Sequence, residues 1–382
     1  MKPKLAILQF HPAPYRDRIF EEVMARGRID INVLTMSPID FGHKYRPQHT
    51  LGYPHQYLGK AFRFRYLGFF HPGIFKVLSR LHADAYLSHI GSITGIIMTC
   101  FAMVNRKPLI LPSDSIFYSK FQKVSYQSLR EFAIRQLLKQ TAAAWVPGKA
   151  SQEYLEYYGL PKDRIFQGAY CLDIDYLLRL SEPARSKRKE LRKQINVDAD
   201  DFLFLFVGRM LPFRGVKCLL EAFYLVKNHF KNIKLLLIGD GPEKTELQAK
   251  AHLLGLQDII FLDPLPMNQL TGYYVASDAY VTAALCENYS LALAQAAICG
   301  LPLISTDQVG AAKDYLVEGI TGFVVPPGDS QAFAAAMQNL LTSKGLASAM
   351  GQEAAVLARP RTIAWGAEQL ETAVFRALDT PK

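Results

Sequence analysis

Thr282–Ser305 reads T-A-A-L-C-E-N-Y-S-L-A-L-A-Q-A-A-I-C-G-L-P-L-I-S, and this stretch decides the fold. An apolar run ends at Leu285, Glu287 follows in a short polar loop, and Ser290 suits the N-cap of a helix through Ile298. Gly300 stops that helix, Pro302 cannot continue it, and Leu303–Ser305 begins a strand. The unit is strand, loop, helix, strand, with a carboxylate just ahead of a helix N-terminus. Backbone N–H groups at Ser290 and Leu291 suit phosphate oxygens. Glu287 would repel phosphate and is better placed to accept hydrogen bonds from sugar hydroxyls. Phosphate and sugar on one ligand point to a nucleotide sugar.

Upstream of this unit the second half alternates regularly. Strands are expected at Phe202–Val207, Lys234–Ile238, Ile259–Leu262 and Ala279–Thr282, and helices at Val216–Phe230, Glu243–Leu254 and Met267–Ala276, which is the pattern of a parallel sheet. Gly208-Arg209-Met-Leu-Pro-Phe-Arg214-Gly215 places two arginines at the first strand–helix junction. A leaving diphosphate needs neutralising, and a guanidinium can fork two of its oxygens. Gly239-Asp-Gly241-Pro242 lets the backbone approach a ligand, although a lone GxG is a weak signal and no dinucleotide fingerprint.

The first half opens the same way. Leu5–Phe10 reads as a strand, His11-Pro-Ala-Pro-Tyr15-Arg16 as a loop, Asp17–Arg26 as a helix stopped by Gly27, and Ile31–Met36 as a strand. Ligands of doubly wound sheets sit at strand carboxyl ends, so the His11–Arg16 loop should face a ligand cleft. Asp84–Ser88 and Pro108–Leu111 are the next strands, ending at His89 and before Asp114. Such an Asp could act as a base toward a hydroxyl, could bind a hydroxyl without chemistry, or could merely cap. The basic, Lys/Arg-rich Ser181–Lys193 reads as a short solvated helix separating the halves.

The 382 residues, 50% hydrophobic, are enough for two cores, and two domains are expected. The five cysteines show no CxxC pair or metal-ligand spacing, and an odd number argues against a disulfide framework, which fits a cytoplasmic location. No segment has the roughly 18 apolar residues needed to span a bilayer. Residues 1–170 hold 23 Lys+Arg against 11 Asp+Glu, whereas residues 171–382 hold 21 against 23. The basic excess thus lies wholly in the first half and suggests an anionic partner, such as a headgroup surface or a diphosphate-linked lipid. Phe41–Ala83 has no acid and interleaves bases with aromatics. Its Phe62–Tyr66 alternation fits a half-buried strand, and the whole stretch fits an interfacial surface. Single-stranded nucleic acid ranks third, because no RNA-binding motif is present.

The opening stretch resembles the nucleotide-sugar signature of retaining glycosyltransferases of family 4: Glu, seven residues, a second Glu, then a small-residue helix ending in C-G-L-P. The likeness covers nearly the entire chain, loosely at first and densely from Val146 to Leu341, including Val146–Ile165, Asp173, Thr306–Gly310 and Gly322–Gly328, and its specificity is high over residues 202–328. It implies the GT-B fold, an α/β architecture of two Rossmann-like doubly wound parallel-sheet domains with a central cleft. The corresponding division is an acceptor-binding domain over 1–170, a nucleotide-sugar domain over 171–355, and a helix over 356–382 crossing back to the first domain. By the resemblance, Glu287 contacts the donor sugar, while Gln295 stands where the second Glu would hold the ribose. Arg209 and Arg214 match a family Arg and Lys that neutralise the leaving diphosphate. Gly208 and Gly241 belong to the donor loops, and Leu265, in Pro264-Leu-Pro266, lies against the nucleobase. Asp114 takes the place of a family His at the transferred sugar or acceptor, His89 sits one strand earlier, and His11, Tyr15 and Arg16 look onto the acceptor side. The implied function moves a sugar from a nucleotide diphosphate to a glycan or lipid-linked acceptor on a cytoplasmic membrane face, without cofactor or obligatory metal. Gln295 and Asp114 keep a second class open, a catalytically silent binding or scaffold subunit. A sugar-nucleotide epimerase is a third.

Overall fold

The computed structural model describes residues 1–37, 51–65, 68–117 and 127–380. They fall into two compact units. One is built from the described residues of 1–116 and 127–173 together with Arg361 onward, the other from Phe117 and Ile174–Pro360.

The first unit holds a seven-stranded parallel sheet of β1 (Lys4–Gln9), β2 (Asp30–Thr35), β3 (His55–Tyr57), β6 (Ala85–Leu87), β7 (Leu109–Pro112), β8 (Ala143–Trp145) and β9 (Ile165–Phe166), in the order β3-β2-β1-β6-β7-β8-β9. The helix after β1 begins at Pro14, three residues earlier than its polar pattern suggests, and ends at Gly27 with φ 63°. Proline at a first helical position loses nothing, since its missing N–H would have had no partner there. Tyr15 and Arg16 therefore belong to the first helical turn rather than to a loop. One face of the sheet is covered by this helix and by the helix Ile363–Leu378, whose Ala367, Leu370, Ala373, Val374 and Ala377 join Phe20, Val23 and Trp145 in one core. Met98 and Ala102 of the helix Ile93–Val104 belong to the core of the other face.

Phe62–Phe64 (β4) pairs antiparallel with Gly68–Phe70 (β5). The Phe62–Phe64 strand is not half-buried as the alternation suggests. Phe62 and Phe64 are 47% and 46% exposed, because theirs is the outer strand of a ribbon separate from the seven-stranded sheet. Gly68–Phe70 is half-buried against the helix Ile93–Val104, whose Thr94 hydroxyl donates to the Phe69 carbonyl. The rest of the Phe41–Ala83 stretch falls partly outside the described residues.

The second unit is a six-stranded parallel sheet of β10 (Phe202–Val207), β11 (Ile233–Ile238), β12 (Ile259–Leu262), β13 (Ala279–Thr282), β14 (Leu303–Thr306) and β15 (Gly322–Val325), ordered β12-β11-β10-β13-β14-β15. Its central strands β10, β11, β13 and β14 are buried on both faces, which is why they read as largely apolar runs. The order reverses beside β10, so loops after β10 and β13 open at a topological switch point. The basic segment ahead of this sheet is two helices, Ile174–Ser186 and Arg188–Gln194, and it is not merely solvated. Arg192 is 3% exposed, bonding the carbonyls of Asp198 and Ala276 and the Asp278 carboxylate, which Arg188 also pairs at 2.6 Å. A guanidinium offers five donors, enough to satisfy carbonyls at a strand start and a carboxylate together.

Candidate functional site

In the second unit the loop after β13 and the short helix after β10 meet. Glu287 is gripped through its backbone: its N–H donates to Gln308 O at 3.0 Å and its carbonyl accepts from Gly310 N at 2.9 Å. Gly310 is required there, since a Cβ would overlap the Asn288 carbonyl. The Glu287 side chain pairs with Arg214 Nη1, leaving Glu287 Oε2 and Arg214 Nε buried with no partner among the described residues. Burial pushes the Glu287 carboxyl above the usual range, and the Arg214 charge opposes that rise. Glu287 thus keeps a buried acceptor and Arg214 a buried donor, groups that suit a hydroxyl and an anion respectively.

Ser290 caps the helix Leu291–Ile298 through its hydroxyl, which accepts from Leu293 N at 3.4 Å, but with φ 91°. A non-glycine residue held there is under backbone strain. Gln295 is buried, and its Oε1 already accepts from the Tyr274 hydroxyl at 3.1 Å while Nε2 faces Met267 Sδ at 3.5 Å. One of its carbonyl lone pairs is therefore taken. Tyr274 and Met267, both on the helix Met267–Ala276, escaped the sequence reading because nothing local marks their approach to Gln295. Gly208 and the exposed Arg209 follow β10. Gly241 follows β11, where a Cβ would overlap the Met210 carbonyl. Leu265 sits between β12 and the helix at Met267, half-buried between exposed prolines.

In the first unit a cavity of about 170 Å³ opens at the carboxyl ends of β1, β6, β7 and β8, lined by Arg16, His89, Asp114, Trp145 and Tyr170 among apolar groups. His89 stacks on Phe10 with centroids 4.2 Å apart, and its Nδ1 accepts from Gly91 N at 3.1 Å. Burial, aided by the Arg16 charge, pulls its pKa down to about 4. Asp114 Oδ2 accepts from the Tyr170 hydroxyl at 3.0 Å, and Tyr15 meets the Tyr170 ring edge-on at 4.7 Å. His11 instead bonds locally to the Pro12 carbonyl at 2.9 Å and does not line the cavity. Trp145 and Tyr170 were not singled out from sequence, although Tyr170 opens the Y-C-L-D segment. Among the described residues no three His, Cys, Asp or Glu side chains are grouped to hold a metal, and no helix is long and apolar enough to cross a membrane.

Residues 187–356 match the family model of glycosyl transferases group 1. The matched segment lies within the sheet and helices of the second unit. Relatives of the chain include a D-inositol 3-phosphate glycosyltransferase of Corynebacterium glutamicum (strain R), 28% identical over 224 residues, 56% of this chain and 52% of that protein. Another is the D-rhamnosyltransferase WbpZ of Pseudomonas aeruginosa, 32% identical over 40% of this chain and 39% of that protein. The chain spans about half the length, or less, of these curated relatives. Anabaena Alr3699/HepE, solved in complex with UDP, superposes with a TM-score of 0.77 at 19% identity, covering 98% of this chain and all of that one. The lipopolysaccharide glycosyltransferase WaaG gives a TM-score of 0.66 at 18% identity. The fold is thus GT-B, with a Rossmann-like parallel sheet in each unit.

Proposed function

We propose that this protein is a retaining glycosyltransferase moving a sugar from a nucleotide-diphosphate donor to a hydroxyl of a glycan or lipid-linked acceptor. The observation that carries the reading is the Arg214–Glu287 pair, with one donor and one acceptor left over at the edge of the second unit's sheet. In this mechanism Glu287 Oε2 accepts from a hydroxyl of the donor sugar and fixes its orientation. Arg214, with Arg209, takes up negative charge on the diphosphate as the anomeric C–O bond breaks. The acceptor oxygen forms the new bond, and its proton leaves to the departing phosphate. Two guanidinium groups supply the positive charge that a metal provides elsewhere, so transfer in EDTA is expected to proceed unchanged. Retention follows the likeness to family 4 enzymes. The basic excess of residues 1–170 and the exposed Phe62, Phe64 and Phe75 support work at an anionic membrane surface.

The test is thermal stabilisation by UDP-, GDP- and dTDP-sugars, followed by transfer assays with the sugar that binds. A ligand at a hundredfold excess over its dissociation constant adds about 2.7 kcal/mol. One nucleotide class should stabilise the wild type, and Glu287→Ala and Arg214→Ala should abolish the effect. Absence of stabilisation by every donor sinks the proposal.

A further inference from the structure

The cavity of the first unit has an unbalanced lining. Arg16 Nε, His89 Nε2 and Trp145 Nε1 are all buried without a partner among the described residues. Each is a donor. The Arg16 guanidinium also lies 5.5 Å over the Tyr15 ring and Trp145 packs in the core near Phe20, but neither contact uses the Nε–H of Arg16 or the Nε1–H of Trp145. Neutral His89 carries its proton on Nε2 because Nδ1 accepts from Gly91 N. Three unused donors around one small void require acceptor oxygens. A neutral hydroxyl fills this role poorly, since it brings a proton of its own, whereas an oxyanion has only lone pairs to offer. The helix Lys149–Tyr157 starts two residues after the lining residue Pro147, bringing the positive end of its dipole to the same rim. Asp114 is the one carboxylate among the described lining residues, and its Oδ2 is engaged by Tyr170.

We propose that this cavity is an oxyanion pocket: Arg16, His89 and Trp145 bind a phosphate or carboxylate group of the acceptor, while Asp114 faces a neighbouring hydroxyl. The pocket rests on the transferase reading in making its occupant the acceptor. The cavity of about 170 Å³ takes the anionic group, and it opens past Phe10, His89 and Asp114 into a larger hollow where the rest of the acceptor can extend. The ligand class is therefore an acidic sugar, a sugar phosphate or a hydroxy acid. A bound anion also offsets the Arg16 charge, which adds to burial in keeping His89 neutral.

The chain has two tryptophans, Trp145 and Trp365, so the full-length protein labelled with [15N]tryptophan gives two indole N–H signals, and Trp145→Phe identifies the first. Titration with inorganic phosphate, glucose 6-phosphate, glucuronate and glucose follows. The Trp145 signal should move saturably with the anions and not with glucose, and the tighter of phosphate ester and uronate identifies the source of the charge. Arg16→Gln should weaken anion binding roughly ten- to a hundredfold, as expected for a charge-assisted hydrogen bond. His89→Gln provides a second variant if the first fails to fold. An indole signal that ignores every anion, or that responds equally to glucose, overturns the pocket. Stabilisation by nucleotide sugars in the same samples separates the two readings. A silent indole with that stabilisation intact sinks the pocket alone, whereas its absence in the wild type sinks the transferase reading.

Discussion

His89 and Glu287 are both buried ionisable groups at strand ends, and burial moves each toward its neutral form. For His89 the consequence for folding has a definite sign. Its folded pKa of about 4 lies below the ordinary 6.5, so the unfolded chain takes up the proton first as pH falls. Its contribution is full above about pH 6.5 and is lost progressively down to about pH 4, at most about 3 kcal/mol. His71, buried against Thr94 and the Met36 carbonyl, is lowered too and acts in the same sense. Asp17 and Glu287, whose carboxyls are raised, act in the opposite sense. Comparing urea unfolding of wild type and His89→Phe between pH 7 and pH 4.5 isolates the His89 part: the variant should lose markedly less stability over that interval. Parallel pH profiles would contradict a neutral, buried His89.

Among the elements, the helix Ile363–Leu378 is tied to the first unit by a carboxylate as well as by its apolar face. Glu371 is 0% exposed, and its Oε2 accepts from Arg26 Nε at 3.1 Å and Arg28 Nη1 at 3.2 Å. Arg26 ends the helix Pro14–Arg26 and Arg28 follows Gly27, so one side chain fixes the helix against the turn into β2. Breaking a fully buried pair costs about 3–5 kcal/mol; both arginines here are partly exposed, so Glu371→Ala should cost about 2 kcal/mol. Chemical denaturation reads this directly, and an unchanged midpoint would show that the apolar contacts alone hold the helix. The helix Arg188–Gln194 is seated in a similar way through Arg192 and Asp278. In both elements the helix pattern is legible in the sequence, but the burial of the charged residue is not, because its oppositely charged partners lie 86 or more residues away.

At the scale of the whole molecule, each unit has its own core, but only the second is continuous in sequence over its main span. The first needs Ala367, Leu370, Ala373, Val374 and Ala377 to close one face of its sheet. A fragment of residues 174–360 should therefore unfold cooperatively by itself. A fragment of residues 1–173 should not, unless residues 361–382 are supplied. Circular dichroism melts of the two fragments check this, and a cooperative transition in 1–173 alone would refute it. The same division makes nucleotide-sugar stabilisation a property of the 174–360 fragment, if the donor groups identified above suffice.

The sequence by itself determined the alternation of strands and helices, the parallel sheets and the Glu287–Ser290 junction. These depend on signals within a few residues: apolar period, caps, glycine and proline stops. It also marked Arg209, Arg214 and Glu287 as chemically meaningful, since charges at strand–helix junctions of such a sheet gather at one edge. Only the tertiary structure decided what those groups touch. It paired Arg214 with Glu287, bonded Gln295 to Tyr274, buried Arg192, left Phe62 and Phe64 exposed, and drew Arg16, His89 and Trp145 around one cavity. The physical reason is the same in each case. Strand order and helix rotation set which distant side chains meet, and a residue's own neighbours in sequence carry no record of that.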